Sequence, residues 1–120
     1  MILSRILLAV IMNMKDIKTI IYENNGQTLI INIGDKNTIL YKDITKIVND
    51  ELIFKYLISL FSIIANWKDE YINTQTIDGN NWKLCMIFKN NTKKEYKGHA
   101  VYPINFEAFE EITQKLIYEV

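Results

Sequence analysis

The dipeptide Asn25-Gly26 constrains the fold of this chain more than any other feature of its sequence. Both residues tolerate the positive φ angles that a two-residue type I′ turn requires, so the residues on either side are predicted to form a β-hairpin. The turn sets the register, pairing Tyr22 with Leu29 and Ile20 with Ile31. One face of the hairpin is then apolar and must be buried against another layer of structure.

A third strand is predicted after the polar segment Gly34-Asp35-Lys36-Asn37. Alternation along that strand adds Leu40 to the first apolar face. The opposite face of the predicted sheet collects four more apolar side chains: Ile21, Ile30, Ile39 and Tyr41. An antiparallel sheet that is covered on one side usually shows a polar second face. We therefore expect another layer or a partner to cover this apolar one.

The segment 50–67 has the spacing of a helix that begins at an N-cap, Asn49 or Asp50. Its polar residues recur every three or four positions: Glu51, Lys55, Ser59, Ser62 and Asn66. Nearly every other position is apolar, whereas a surface helix with one buried face shows a wider polar sector. We therefore expect the helix to be central or shared between two surfaces. Three of its residues are predicted to join the apolar surface offered to a partner: Phe54, Ile58 and Phe61.

A second hairpin is predicted over 82–102, around the loop Asn90-Asn91-Thr92. Its buried face carries alternating apolar residues: Trp82, Leu84, Met86, Phe88, Tyr96 and Ala100. Its lysines form a predicted basic patch: Lys83, Lys89, Lys93, Lys94 and Lys97. Such a patch can contact a phosphate backbone or an acidic protein surface. The alternative is a solvated strand face whose lysines prevent edge-to-edge pairing.

The last predicted element is a helix with Asn105 as its N-cap. Ile104 and Phe109 have the spacing of a hydrophobic staple across this cap. Three carboxylates suit the positive end of the helix dipole: Glu107, Glu110 and Glu111. The apolar residues at helical spacing make one core-facing stripe: Phe106, Phe109, Ile112 and Leu116.

The segments Asp78-Gly79-Asn80-Asn81-Trp82 and Tyr102-Pro103-Ile104-Asn105-Phe106 form one pattern with Gly98 and Phe109. This pattern resembles that of small uncharacterised bacterial and phage proteins that end in a DG-x-x-W strand, a G-x-x-x-YP-x-NF connection and a closing helix. The resemblance implies a shared fold for this part of the chain and no activity. Its residues also have folding roles, since glycine suits turns and close backbone approaches and proline ends a strand.

The residue types that carry most enzyme chemistry are sparse in this chain. His99 is the only histidine and Cys85 the only cysteine. Both lie on one predicted face of the second hairpin, as a thiol nucleophile and its base must, but the predicted register puts Cys85 opposite Lys97 and His99 only diagonal to it. The four glycines are isolated, so the sequence holds no phosphate-binding glycine loop. We predict a protein that is not an enzyme and has no cofactor and no metal site.

Residues 1–14 are predicted to be an apolar N-terminal extension ahead of a single domain over 15–120. The apolar run falls short of the roughly 20 residues that span a bilayer, so we expect no membrane span. Three interpretations stay open: the start of a signal peptide, although no small-residue cleavage site follows; a natural start at Met12 or Met14; or an element packed on the domain. The lone cysteine is typical of a protein of the reducing cytoplasm.

These elements predict an α+β fold, a two-layer sandwich with about five antiparallel strands in the order β-β-β-α-β-β-α. The 14 basic and 14 acidic residues balance, so the whole-chain charge favours neither nucleic acid nor anionic lipid. Apolar surface in excess of one core predicts a module that binds a protein partner or itself. The many isoleucines, asparagines and lysines fit an AT-rich phage or mobile element, and so an inhibitor or immunity protein acting by occlusion. The alternative is a nucleic-acid-binding protein that uses the basic patch.

Overall fold

The computed structural model describes residues 16–72 and 79–119 of the chain. Within these ranges it contains seven strands and two helices: β1 Ile17–Asn24, β2 Gln27–Asn32, β3 Asn37–Tyr41, β4 Ile44–Val48, α1 Asp50–Ile64, β5 Glu70–Ile72, β6 Asn81–Phe88, β7 Lys93–His99 and α2 Phe106–Tyr118. The strands form one sheet in the order β4-β3-β2-β1-β6-β7-β5. The predictions made for residues 1–14 lie outside the described residues.

Both helices pack on the same face of the sheet, which gives the described part of the chain two layers. One core cluster unites side chains from the sheet and from both helices. Tyr22 of β1 meets Phe109 of α2 edge to face, with 4.8 Å between ring centroids. Tyr56 of α1 and Thr113 of α2 share a buried hydrogen bond of 3.0 Å. The predicted α+β class is confirmed.

The sheet differs from the prediction of about five antiparallel strands. It has seven strands, and it is mixed because β5 runs parallel to β7. β4 follows β3 through the turn Lys42-Asp43, in which Lys42 adopts φ 54° without the Asn-Gly or Asp-Gly sequence that marks most such turns. β5 has three residues, so it shows no periodicity of its own. The sequence pattern therefore predicts neither β4 nor β5.

The first hairpin forms as predicted. Asn25 has φ 52° and Gly26 has φ 80°, the two positive values that the type I′ turn requires. Tyr22 pairs with Leu29 and Ile20 pairs with Ile31, and all four side chains are buried: Ile20, Tyr22, Leu29 and Ile31. The chemistry of a two-residue turn thus sets the register of two strands in the middle of the sheet.

The faces predicted for the third strand are wrong by one residue. β3 turns Ile39 into the core and Leu40 to the opposite face. The cause is Asn37, whose buried side chain donates hydrogen bonds to the end of β4 and to the start of α1. With Asn37 pointing inward, alternation along β3 also turns Ile39 and Tyr41 inward.

α1 begins where the sequence predicts, because Asn49 accepts a hydrogen bond of 2.9 Å from the backbone N–H of Leu52. Its apolar residues are more enclosed than expected. Phe61 is buried in the core, so it is not part of an open surface as predicted, and Ile58 is partly buried and packs against the core. The reason is that α1 contacts both the sheet and α2. Only Phe54 of the three predicted residues stays open, at 48% exposure.

α2 also begins at the predicted residue, but by a different local structure. Asn105 has φ 67°, in the left-handed region, and its side chain makes no capping hydrogen bond. Ile104 is 75% exposed, so the predicted staple with Phe109 is wrong. The chain is anchored here through the backbone, since Ile104 O accepts a hydrogen bond of 3.1 Å from the indole Nε1 of Trp67.

The register of the second hairpin lies two residues away from the predicted one. Cys85 stands opposite Glu95, because the last paired residues of the hairpin, Ile87 and Lys93, are separated by five residues instead of three. Asn90 holds this loop, since its Oδ1 accepts hydrogen bonds from the backbone N–H (3.0 Å) and the hydroxyl (2.6 Å) of Thr92. A shift by an even number leaves each side chain on its predicted face. Four predicted core residues are accordingly buried: Trp82, Leu84, Met86 and Tyr96.

Candidate functional site

The face of the sheet that points away from the helices carries a continuous apolar row. Cross-strand pairing in β3, β2, β1 and β6 places four side chains side by side: Leu40, Ile30, Ile21 and Cys85. We call these four residues the apolar row. Leu40 is exposed, Ile21 and Ile30 are half-buried, and Cys85 is buried, although none of the four belongs to the core cluster on the helix side. Within the described ranges, both helices lie on the other side of the sheet, so no helix covers the row.

The row is bordered by two different rows of the same face. On one side stands a row with an isoleucine at each end and polar residues between them, each paired with the next across the strands: Ile47, Thr38, Asn32, Thr19 and Ile87. Ile47 is 66% exposed, while the Thr19 hydroxyl donates to Asn32 Oδ1 at 3.2 Å. On the other side stand charged residues, with two neighbouring lysines between two glutamates: Glu23, Lys83, Lys97 and Glu70. The face therefore has an apolar centre, a charged border on one side and a mixed polar and apolar border on the other, and an apolar centre with a more polar rim is the usual anatomy of a protein interface.

The structure brings together only part of the predicted apolar surface. Ile21 and Ile30 lie in the apolar row, whereas Ile39 is buried in the core and Tyr41 packs against it. Phe54 is exposed, but on α1 and hence on the other layer. Three residues of the face were missed by the prediction: Leu40, Ile47 and Ile87. The exposure of Leu40 could have been predicted from Asn37: with the Asn37 side chain pointing inward, alternation along β3 turns Leu40 to the outer face.

The five lysines of the predicted basic patch do not form one positive surface. Three of them make ion pairs with carboxylates: Lys83 with Glu95 at 3.6 Å, Lys94 with Asp69 at 2.6 Å, and Lys97 with Glu70 at 3.6 Å. The hydrogen bond that the Lys94 ammonium donates to the Asp69 carboxylate raises the pKa of Lys94. Register places Lys94 on the helix side of the sheet, opposite Met86, with its ammonium 5.2 Å from the ring centroid of Tyr96. Lys89 and Lys93 are exposed near the loop.

Cys85 and His99 are not brought together. Cys85 pairs with Glu95, four residues before His99 on β7, and His99 pairs with Asn81. The His99 ring Nδ1 lies 2.6 Å from Asn81 Oδ1. Burial raises the pKa of the Cys85 thiol, and the Glu95 carboxylate raises it further, so the reactive thiolate is disfavoured. Among the described residues, no group of three histidine, cysteine, aspartate or glutamate side chains is placed to hold a metal ion.

These observations define a small α+β protein whose mixed sheet is covered by two helices on one face and carries an apolar row on the other. None of the helices in the described ranges has the length and apolar character needed to cross a membrane. No protein-family model, curated protein or solved structure matches this chain. The resemblance of the pattern in 78–109 to small bacterial and phage proteins therefore stays a prediction.

Proposed function

We propose that this protein is a protein-binding module that associates with a second copy of itself through the outer face of the sheet. The observation that supports the proposal is the apolar row, because Leu40, Ile30 and Ile21 lie outside the core cluster and have no helix over them in the described part of the chain. Cys85, which continues the row, is itself buried. Burying such a row stabilises an association by about 25 cal/mol for each Å² of apolar surface that is removed from water. The chain's lone cysteine suits a setting in the reducing cytoplasm.

A second copy is favoured as the occupant by the charge pattern around the row. The charges around the row comprise three acids and three lysines: Glu23, Glu70, Glu95, Lys83, Lys93 and Lys97. A two-fold interface places the same surface on both subunits, so a patch that holds both signs equally can pair with itself without net repulsion. The whole chain also has a formal charge of zero at pH 7. Two such sheets would pack face to face roughly 10 Å apart, as in a β-sandwich.

The nucleic-acid alternative has weaker support. Three of its five lysines already face carboxylates, and one of those three lies on the helix side of the sheet. A phosphate backbone would have to compete with these ion pairs for the same ammonium groups. Binding of this kind would weaken with salt by nearly one power of concentration per phosphate neutralised, whereas apolar association would change little.

The test is the mass of the native protein, measured by light scattering over a wide range of concentration and salt. We expect a species of twice the 14.1 kDa chain mass at high concentration, with little dependence on salt. The double variant Ile30→Glu, Leu40→Glu should stay monomeric, because carboxylates in the centre of the interface would lose their hydration without a partner.

The matched control is Ile104→Glu, which replaces an exposed isoleucine on the helix side of the molecule. This variant should associate like the wild type. A wild-type protein that is monomeric at every concentration would contradict the proposal. So would association that Ile104→Glu abolishes and the double variant leaves intact.

A further inference from the structure

A polar groove runs along the helix side of the molecule, between the start of α2 and the turn end of the β1–β2 hairpin. It consists of two adjoining hollows of about 730 Å³ and about 250 Å³. Asn24, Asn80 and Glu110 line both hollows, so the two are continuous. Tyr102 and Phe106 line the wider hollow, and Tyr22 lines the narrower one.

The groove is acidic. Three carboxylates line it: Glu107, Glu110 and Glu111. None of its lining residues is lysine or arginine. Glu111 is neutralised by Lys115 at 3.4 Å, whereas Glu107 and Glu110 make no ion pair within the described residues. Carboxylates at the start of a helix compensate the helix dipole, so the acids by themselves do not define a site.

Apart from the acids, two buried oxygens belong to residues that line the groove. Tyr22 is only 8% exposed, and its Oη has no hydrogen-bond partner in the described part of the chain. The Oδ1 of Asn24 is likewise buried and unpartnered there. Leaving such an atom without a hydrogen bond destabilises the folded state, so two of them in neighbouring residues call for an explanation. Both atoms can accept a hydrogen bond, and both belong to residues that line the hollow shared with Glu110.

The pKa shifts of Tyr22 and Glu110 are those expected where negative charge lies close to buried groups without a neighbouring cation. Burial raises the pKa of Tyr22 well above its ordinary value, and the Glu110 carboxylate adds to that rise, so the phenol is neutral at pH 7. The nearby Asn24 side chain opposes the rise in part, although the two side chains do not meet in hydrogen-bonding geometry. Burial also raises the pKa of Glu110, with Glu107 as a second cause. A positive charge beside Glu110 would stabilise its carboxylate and lower its pKa.

We propose that the groove binds an organic cation that carries a primary ammonium group. An ammonium has three N–H donors and no acceptor, which matches the acceptors offered here: Tyr22 Oη, Asn24 Oδ1 and the Glu110 carboxylate. The rings of Tyr102 and Phe106 suit an apolar stem behind the charge. A divalent metal fits less well, since the described residues hold no group of three metal-ligating side chains. The ammonium comes either from a lysine side chain of a peptide or from a free amine.

The test is a titration of ¹⁵N-labelled full-length protein at low salt. Binding is monitored by NMR through the side-chain amide signals of Asn24 and Asn80. The probes are the peptide N-acetyl-Ala-Lys-Ala-amide and the diamine putrescine. We expect saturable shifts with at least one of them, and the tighter binder identifies the source of the ammonium. A peptide with norleucine in place of lysine keeps the stem without the charge, and it should cause no saturable shift.

Two variants remove single acceptors. Tyr22→Phe deletes Oη and keeps the ring against Phe109, and Glu110→Gln deletes the charge. Each should weaken binding at least about tenfold, as loss of one hydrogen bond to a charged group does. Glu51→Gln is the control, because Glu51 occupies the first turn of the other helix and lies outside the groove. It should bind as the wild type does.

Three results would overturn the inference: no saturable shift with either amine, equal binding of the norleucine peptide, or unchanged affinity in both Tyr22→Phe and Glu110→Gln. The amide spectrum reports in each case whether the variant is folded. The groove and the apolar row lie on opposite sides of the sheet, so a monomeric protein that binds amines, or a dimer that does not, separates this inference from the proposed function.

Discussion

Gly98 of β7 lies against the indole of Trp82, and this contact leaves no room for a side chain. A Cβ atom added to Gly98 would stand 2.2 Å from Trp82 Nε1 and 2.7 Å from the carbonyl oxygen of Val101. Neither neighbour can yield, because Trp82 is buried and donates a hydrogen bond of 2.9 Å to that same oxygen. The glycine therefore allows β7 to approach the largest buried side chain of the core.

We expect Gly98→Ala to lower the free energy of unfolding by about 3 kcal/mol, since overpacking a rigid contact strains both backbone and ring. Gly34→Ala is the matched control, because nothing lies within 4 Å of a Cβ at Gly34. Its effect should stay within about 0.5 kcal/mol. Urea unfolding followed by tryptophan fluorescence measures both values. Equal effects of the two substitutions would show that the contact with Trp82 is not what requires glycine.

Glu110 gives the protein a pH dependence of known sign. Its pKa is raised above the ordinary 4.5 in the folded state, by burial first and by Glu107 second. Above pH 4.5 the unfolded chain has lost a proton that the folded protein still holds, so this group reduces stability as the pH rises through that window. We expect Glu110→Gln to raise the melting temperature at pH 7 and to leave it nearly unchanged at pH 4. Thermal unfolding at the two pH values checks this, and a variant less stable than the wild type at pH 7 would contradict it.

At the scale of the elements, the side chain of Asn37 connects β3 with β4 and α1 through hydrogen bonds. Its Nδ2 donates to the Val48 carbonyl at 3.1 Å and to Asp50 Oδ1 at 2.7 Å, and its Oδ1 accepts from the Gly34 N–H at 3.4 Å. One side chain thus connects the turn before β3, the end of β4 and the first residue of α1. It also determines which face of β3 enters the core.

We expect Asn37→Ala to cost about 2 kcal/mol, because the buried Val48 carbonyl loses its side-chain donor and the polar turn loses its acceptor. Asn66→Ala, at an exposed position after α1, should cost little. Urea unfolding measures the difference between the two. Hydrogen exchange should in addition show faster exchange in β4 for Asn37→Ala alone, and uniform exchange rates in both variants would argue against a joining role.

At the scale of the whole molecule, the described part of the chain covers one face of its sheet and leaves a row of apolar side chains on the other. The sequence indicates apolar surface in excess of one core, but it assigns much of that surface to the wrong layer. Most of α1 is enclosed within a single copy, since Phe61 is buried and Ile58 packs against the core. The open surface belongs instead to the sheet, where Leu40 joins Ile21 and Ile30.

The candidate site was predictable only where local chemistry determines it. The pairing of Ile21 with Ile30 follows from the turn at Asn25-Gly26. The exposure of Leu40 depends on Asn37, whose partners lie 11 and 13 residues away in the chain. The groove depends on the contact of α2 with β1, so the sequence alone explains its glutamates as compensation of a helix dipole and gives no reason to connect them with Tyr22.

The sequence by itself determined the first hairpin, the start of both helices and the α+β class, because turn residues, caps and periodicity act over a few neighbouring residues. Tertiary structure decided the face of β3 and the existence of β5, because these depend on contacts between segments that are apart in the chain. The existence of β4 and the register of the second hairpin depend on local turns, at Lys42-Asp43 and at Asn90–Thr92, whose sequences do not specify the turn. Where two elements meet, the free energy of the contact outweighs the local preference, and only the assembled fold contains that contact.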